Sequence, residues 1–287
     1  MAFRIDKGEA LADGLARAFA EQLQGAIEQL ADSTRDRQDA IHETRKHFKR
    51  MRALLRLVND GMPHTAQYGN ARLRDLSGLL SPYRDADAML ENLERLRPQL
   101  LAAFDEPTYD SAHTTLQQAR SQLLDREPGY DAVRSEVLEA LQGMQQLLHD
   151  WPFSMLQSKA IAATVHETYR RAAKSARKAA GSDDVERFHT WRKRVKDLLY
   201  QSQLLTGTEL GVRKKHIKAL DRLAEMLGEH HDLSVFEELL QDGQLFPDRD
   251  RTMQLLGQVV KARRKLEKRA RKLGEPLMGM PVKKFFV

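Results

Sequence analysis

The sequence contains no cysteine, so neither a disulfide nor a thiolate metal site can form. Its 287 residues include only 9 prolines and 16 glycines, too few for a β architecture with many tight turns. Aromatic residues make up 6% of the chain, which leaves few rings for stacking on nucleic-acid bases. No apolar run approaches the roughly 20 residues that span a bilayer, and the N-terminal segment lacks the apolar core of a signal peptide. We therefore expect a soluble, cytoplasmic protein without a membrane partner.

The residues that are abundant favour helices. Hydrophobic residues make up 41% and charged residues 31% of the chain, a mixture typical of amphipathic helices. This composition predicts an all-α fold. The 47 basic and 41 acidic residues leave a net charge of +6 and a pI of about 9.4. Such an excess attracts a polyanion only where the bases are gathered on one face.

Hydrophobic periodicity and turn residues divide the first half into helices. Apolar residues recur at helical spacing over 8–31, and Asp32 or Ser33 is expected to cap the next helix, which carries Ile41 through Val58. A third helix is predicted over 65–80. Ser81 and Pro82 then predict an N-cap and first turn of a separate helix that ends near Leu96. Two more helical stretches are bracketed by Pro107 and Pro128-Gly129, and Trp151-Pro152 is the predicted join between the halves.

The second half follows a similar plan. A helix over 155–180 is expected to end at Gly181, and Ser182 is the expected cap of a helix that runs to Leu205. Later helices are predicted at 209–228, 232–242 and 248–273, followed by an irregular tail over 274–287.

An internal repeat is the most informative feature of the sequence. The pattern His-x-x-Arg-Lys-x-x-Lys runs from His42 to Lys49 and again from His189 to Lys196, an offset of 147 residues. The same offset matches further positions: Leu57 with Leu204, Leu76 with Leu223, Leu80 with Leu227, and Asp85 with Asp232. A constant offset over this length indicates a duplication. We expect one domain made of repeat 1 at about 1–150 and repeat 2 at about 151–273.

Each copy of the pattern places its bases along one side of a helix. At 100° per residue the bases of each copy occupy roughly a third of the circumference. The first stripe contains His42, Arg45, Lys46, Lys49, Arg52 and Arg56. The second stripe contains His189, Arg192, Lys193, Lys196 and Tyr200. The first stripe runs about 21 Å, which suits several phosphates in a row.

The stripes lack the acids that helices usually interleave among bases. Glu43 and Asp197, the nearest acids, fall to one side of the stripes. Like charges three and four residues apart destabilise a helix by a few tenths of a kcal/mol per pair. A bound polyanion would relieve this repulsion, and Arg, Lys and His all donate to phosphate oxygens. The pattern therefore favours a polyanion site over a merely solvated face.

Two acids recur at matching positions, Asp85 and Asp232. They are interpreted either as capping or ion-pairing residues, or as groups behind the site that orient an arginine of the basic helix. Both interpretations remain open at this stage.

Four segments together resemble the CHAD domain, a helical domain family with conserved histidines. They are IHETRKHFKRMRALLRLV (41–58), LLSPYRDADAML (79–90), FHTWRKRVKDLLYQSQLL (188–205) and LGEHHDLSVFEELL (227–240). The resemblance covers essentially the whole chain. At the position of Tyr83-Arg84 in the first repeat, the second repeat has His230-His231.

The resemblance implies two pseudo-symmetric four-helix repeats packed around a basic central channel. It implies binding of inorganic polyphosphate without catalysis or cofactor. The purpose stays open among targeting to polyphosphate granules, nucleoid association, stress response and regulation of a neighbouring enzyme. The residues of both stripes would face the channel. The resemblance extends the site to Arg84, Arg170, Lys174, Lys218 and Arg264. Some relatives carry a fused triphosphate tunnel module with an E-x-E-x-K signature, but this sequence contains no E-x-E.

Three other functions compete with polyphosphate binding. Nucleic acid, and RNA in particular, presents the same phosphate chemistry. A phosphohydrolase would need clustered carboxylates or an activated nucleophile. The one local trio resembling metal ligands, His230-His231-Asp232, has adjacent histidines on different sides of a helix. A scaffold that recruits acidic proteins is the third alternative.

Overall fold

The all-α prediction is confirmed by the computed structural model, which describes residues 3–243, 245–246 and 248–286. In these ranges strand-like pairing is limited to an isolated bridge between Val212 and Phe286. None of the described helices combines the length and apolarity needed to cross a bilayer.

Six α-helices form the N-terminal half. They are α1 (Leu11–Ala31), α2 (Arg37–Val58), α3 (Pro63–Arg95), α4 (Arg97–Ala103), α5 (Glu106–Leu124) and α6 (Tyr130–Leu147). In this half α2 packs between α1 and α3, α6 packs against α1 and α3, and α5 packs against α3. The short helix α4 was not predicted from the sequence.

The C-terminal half follows two short 3-10 turns around Trp151. Its helices are α7 (Ser158–Ala180), α8 (Val185–Leu204), α9 (Lys214–Asp242), α10 (Arg249–Met278) and α11 (Val282–Phe285). Here α7, α8, α9 and α10 pack in sequence, and α10 returns to contact α7. The two halves meet where α2 packs against α7 and α8. Pseudo-symmetry between the halves stays a prediction.

Aspartate caps begin the two basic helices, at positions that differ from the predicted ones. The Asp36 carboxylate accepts from the backbone N–H groups of Gln38 and Asp39, so the cap of α2 lies four residues after Asp32. The Asp184 carboxylate accepts from the Glu186 N–H at the start of α8. Ser182 lies two residues before this cap, and its hydroxyl accepts a hydrogen bond from the Asp184 N–H. A carboxylate at these positions accepts hydrogen bonds from backbone N–H groups that have no partner within the helix. Its negative charge is also stabilised by the positive end of the helix dipole.

The predicted break at Ser81-Pro82 is wrong, because α3 continues through Pro82 to Arg95. Proline removes the N–H that would bond the carbonyl four residues earlier and crowds that carbonyl. Beside it, the Ser77 carbonyl accepts from both the Arg45 guanidinium and the Ser81 hydroxyl. Contacts from α2 thus support the helix where the local sequence favours a stop.

Two other predictions about the C-terminal half are also wrong. The helices predicted at 209–228 and 232–242 are one helix, α9, because its inward face stays apolar or buried from Leu220 to Leu240. The tail over 274–286 is not irregular: α10 extends to Met278 and α11 follows. Val287, the last residue of the predicted tail, lies outside the described residues.

The tail is held by a buried aromatic group. The Phe285 ring is fully buried and lies 4.5 Å from the Tyr169 ring and 5.2 Å from the His216 ring, centroid to centroid. The His216 ring nitrogen Nδ1 is 2.9 Å from the Phe285 carbonyl oxygen. The Tyr169 hydroxyl donates to the Met280 carbonyl at 2.7 Å. The C-terminal segment is therefore part of the core.

We predict that Phe285→Ala destabilises the protein by about 3–5 kcal/mol, because it leaves a cavity between α7, α9 and the tail. Chemical denaturation followed by circular dichroism measures the change. Lys284→Ala, at an exposed neighbouring position, is the matched control and should change stability by less than about 0.5 kcal/mol. Equal stability of the two variants would contradict the packed tail.

Candidate anion-binding site

The buried apolar residues form two separate clusters, and the helices α3 and α9, which pass from one cluster to the other, pack against the basic helices α2 and α8. Along α3, residues up to Tyr83 belong to the first cluster and residues from Leu90 belong to the second. Along α9 the change occurs between Leu227 and Leu233. We call the intervening stretches, 84–89 of α3 and 228–232 of α9, the polar gap. The second cluster joins α3, α4 and α5 to α9 and α10, so it connects the two halves beyond the gap.

The basic helices α2 and α8 contact each other near their C-terminal ends. The buried Gln201 side-chain amide donates to the Ala53 carbonyl at 3.0 Å. The Arg56 guanidinium pairs with the Asp197 carboxylate at 2.5 Å. These contacts at the helix crossing fix the position of α8 relative to α2. They therefore determine which cations of the two stripes lie near each other.

Lys49 lies among cations from three helices. Its side chain is exposed to solvent, yet the neighbouring helices crowd its ammonium group and reduce its hydration. This desolvation, together with the charges of Arg45 and Arg192, lowers the pKa of Lys49 to about 8; Lys196 and Arg84 act in the same direction. The structure thus brings the centres of both predicted stripes to one place. Within the described ranges no ion pair joins Lys49 to a carboxylate.

The two matching arginines are held in different ways. Arg45 donates to the Ser77 carbonyl and to the Ser81 hydroxyl, both at 2.7 Å, so α3 orients its guanidinium through neutral acceptors. Arg192 has a buried Nε atom without a hydrogen-bond partner among the described residues. Burial lowers the pKa of both arginines. The surroundings of Arg192 therefore differ from those of Arg45, whose guanidinium is held by α3.

Lys196 and Tyr200 continue the second stripe toward the crossing. Burial and the charge of Arg192 lower the pKa of Lys196, whereas Asp221 and Glu225 of α9 act in the opposite direction. Burial raises the pKa of the Tyr200 hydroxyl, so the phenol is a neutral donor near pH 7. Lys193 lies one helical turn before Lys196. It is exposed and forms no ion pair with the residues that the structure describes.

The histidines of the two stripes have different neighbours. Burial and the charge of Arg84 lower the pKa of His42. The His189 ring lies 4.5 Å from the His231 ring, and burial together with Arg192 lowers the pKa of His231 to about 4. His231 is the residue of the second repeat that corresponds to Arg84. Each stripe histidine therefore has a neighbour at the equivalent position, Arg84 for His42 and His231 for His189. Both His42 and His189 are mostly neutral donors near pH 7.

The stripes are less free of acid than the sequence predicts. Glu43 reaches Lys46 at 3.2 Å, and Asp197 pairs with Arg56. Helical angles place these carboxylates beside the stripes, but side chains are long enough to cross that distance. Arg52 donates to the neutral amide oxygen of Asn70. The uncompensated charge is therefore concentrated at the centres of the stripes.

The carboxylates of Asp85 and Asp232 do not bond the stripe arginines directly in the described structure. Asp232 lies 3.6 Å from Arg95 of α3, so it forms an ion pair between α9 and α3 and thus between the two halves. The charges of Asp85 and Asp232 nevertheless act to raise the pKa of Arg45 and Arg192, respectively. The two carboxylates thus act on these arginines through longer-range electrostatic attraction. The hydrogen bonds that orient Arg45 come from Ser77 and Ser81.

The additional basic residues do not join one site. Arg84 lies in the polar gap, but its guanidinium pairs with both oxygens of Glu91. Arg170 and Lys174 are exposed on α7, beside the end of α10 and the tail. Arg264 is exposed on α10, and Lys218 is exposed on α9 one turn before Asp221.

Sequence reasoning missed two acids that α9 contributes, Asp221 and Glu225, which act on Lys196. The repeat offset places His231 at the position equivalent to Arg84, but it does not show that the His231 ring lies 4.5 Å from the His189 ring. No sequence signal identified the two acids, because their effect depends on how α9 packs against α8.

The trio His230-His231-Asp232 is not a metal centre in the described structure. His230 is buried, stacks on Phe188 and lies 3.2 Å from the Glu267 carboxylate, whereas His231 turns to His189. More broadly, residues 3–243, 245–246 and 248–286 contain no group of three or more His, Asp or Glu side chains placed to hold a metal ion.

Comparison with known proteins identifies the family. Two uncharacterized proteins of Mycobacterium tuberculosis, from strains CDC 1551 and H37Rv, are each 26% identical over 245 residues. The match covers 80% of this chain and 45% of the relatives, so the chain spans less than half of their length. The crystal structure of the CHAD domain from the plant Ricinus communis matches with a TM-score of 0.63 and 19% identity, over 98% of this chain and 96% of that one, and this likeness shows the fold. The family model described as the CHAD domain matches residues 15–241, so the chain belongs to the CHAD domain family.

Proposed function

We propose that the chain binds inorganic polyphosphate, without hydrolysing it, in a basic channel between its two halves. The observation that carries this proposal is the convergence of Lys49 with Arg45, Arg192 and Lys196 from two helices. Family membership supports the same conclusion. The proposal includes action in the cytoplasm, at polyphosphate granules.

Several phosphates fit this arrangement better than one. The middle parts of both stripes meet, so that several cations of α2 and α8 are available side by side, while Lys46 and Arg56 are paired with carboxylates. Arginine donates to two phosphate oxygens at once, and lysine adds a compact charge. A chain of phosphates can meet successive cations and offset their mutual repulsion.

The site supports an inorganic chain more than single-stranded nucleic acid. Proteins that bind single strands combine cations with aromatic rings on which the bases stack. Tyr200 is the aromatic member of the two stripes, and it is partly buried with its ring among the helices. An inorganic chain needs charges and donors alone.

We predict that Arg45→Gln with Lys49→Gln, or Arg192→Gln with Lys196→Gln, weakens binding of long-chain polyphosphate at least about tenfold, which corresponds to about 1.4 kcal/mol. Isothermal titration calorimetry at two salt concentrations measures the loss, and the salt dependence should decrease as well. Circular dichroism checks that the variants remain folded. Arg170→Gln with Lys174→Gln removes the same charge from the outer face of α7 and should retain affinity. Unchanged affinity in both central variants would exclude this site.

Competition with RNA tests the ligand itself. Polyphosphate should displace a labelled single-stranded RNA at a much lower phosphate concentration than RNA displaces polyphosphate. The reverse order would assign the site to nucleic acid.

We predict that affinity for polyphosphate falls as the pH rises from 7 to 9.5. The pKa of Lys49 in the free protein is about 8, and a phosphate chain binds the protonated ammonium more tightly. Above pH 8, binding must therefore include proton uptake, which costs free energy. Lys49→Arg keeps its charge over this interval, so its affinity should fall less. Parallel pH profiles for the two proteins would show that Lys49 does not contact the ligand.

We further predict that the protein releases no orthophosphate from long-chain polyphosphate in the presence of Mg²⁺ or Mn²⁺. Binding to arginine and lysine does not by itself supply the nucleophile or the metal ion that phosphoryl transfer requires. A malachite green assay over several hours, with a polyphosphatase as positive control, measures release. Steady release that the Arg45→Gln, Lys49→Gln variant lacks would make this site catalytic.

A further inference from the structure

The outward face of α10 carries a second cationic surface that the central site does not use. Six bases recur at helical spacing and all are exposed: Lys261, Arg264, Lys265, Lys268, Arg269 and Lys272. We call this set the outer stripe. Its members make no ion pair with a carboxylate anywhere in the described ranges, although many other surface cations of the chain do.

Within the stripe itself the helix carries no exposed acid; the exposed acids of α10, Asp250 and Glu275, lie beyond its two ends. Glu267, the one acid between Lys261 and Lys272, is buried. It pairs with the buried Arg263, which also bonds Glu237 of α9 at 2.6 Å. It lies 3.5 Å from Arg271 as well. The inner charges of α10 are thus paired with each other and with α9, whereas no acid lies among the outer bases between Lys261 and Lys272.

This segregation costs helix stability. Neighbouring bases three and four residues apart repel by a few tenths of a kcal/mol per pair, and the outer stripe contains several such pairs. A helix that only needed a solvated surface would gain from one glutamate among these positions. The arrangement is consistent with a polyanionic partner that supplies the missing charge.

The chemistry around the outer stripe selects among polyanions. The helix α10 contains no aromatic residue, so it offers no platform for unpaired bases. Among the bases, from Lys261 to Lys272, the only other exposed residue is Ala262, and the exposed Met253 lies about two turns before the stripe, so the stripe itself has no large apolar group to enter a lipid surface. The face is also a convex helix surface, and a flexible chain would lose much conformational freedom on binding there.

A rigid duplex meets these conditions. It presents phosphates in a fixed array with one charge per strand about every 3.4 Å. The outer stripe spans about 16 Å at 1.5 Å per residue, the axial length of about five phosphates of one strand. We propose that the outer stripe of α10 binds the phosphate backbone of double-stranded nucleic acid, without sequence preference, independently of the central site.

Three full-length variants test this assignment by fluorescence anisotropy with a labelled 24-base-pair DNA of arbitrary sequence. The outer variant carries Lys265→Gln, Lys268→Gln and Lys272→Gln. The charge-matched control carries Lys159→Gln, Lys214→Gln and Lys215→Gln, at exposed positions on α7 and α9. The central variant carries Arg45→Gln and Lys49→Gln. Glutamine and lysine have similar helix propensities, so the helices should remain intact.

We expect the outer variant to lose at least about tenfold in affinity for the duplex, and the slope of log affinity against log salt to decrease by about 2–3. The control and the central variant should bind the duplex like the parent protein, and the outer variant should keep its affinity for polyphosphate. Unchanged duplex binding by the outer variant would overturn the proposal. So would an equal loss of duplex and polyphosphate, or stronger binding of the parent protein to vesicles of phosphatidylserine than to the duplex.

Discussion

The repulsion between cations of α2 and α8 is the constraint on which the rest of the structure depends. Two helices can bring Lys49 and Arg192 together only if other contacts hold them in place. The crossing supplies some of these, through Gln201 and through the pair of Arg56 with Asp197. The two apolar clusters supply more, because α3 and α9 are anchored on both sides of the polar gap. Charge is thus concentrated in the region between two well-packed cores.

The duplicated pattern gives each half the same components, but the halves use them differently. In the first half the arginine is oriented by a serine carbonyl and hydroxyl, and Arg84 is neutralised by Glu91. In the second half the arginine keeps an unpartnered Nε atom, and a neutral histidine replaces Arg84. The difference places the less constrained donor on α8.

Much of this organisation could be predicted from the sequence. Periodicity located the basic stripes, since bases and apolar residues alternate at helical spacing in 41–58 and 188–205. The repeat and the motifs also identified the family correctly. The continuation of α3 through Pro82 could not be predicted in this way, because it depends on the donation from Arg45 to the Ser77 carbonyl. The same holds for the tail, whose Phe285 is buried by residues far away in the sequence. The pairing of Arg56 with Asp197 joins residues of different halves, and helical angles within one helix carry no information about it.

The ion pair of Arg95 with Asp232 has a consequence for how the two halves cohere. It joins α3 to α9 beside a group of cations that push the halves apart, so an attractive and a repulsive contact act across the same boundary. Anything that neutralises the cations removes the repulsion and leaves the attraction. Occupancy of the site and cohesion of the two halves are therefore thermodynamically linked. A polyanion bound at the proposed site would make local separation of α3 from α9 less favourable, and slower hydrogen exchange along these helices would report its binding.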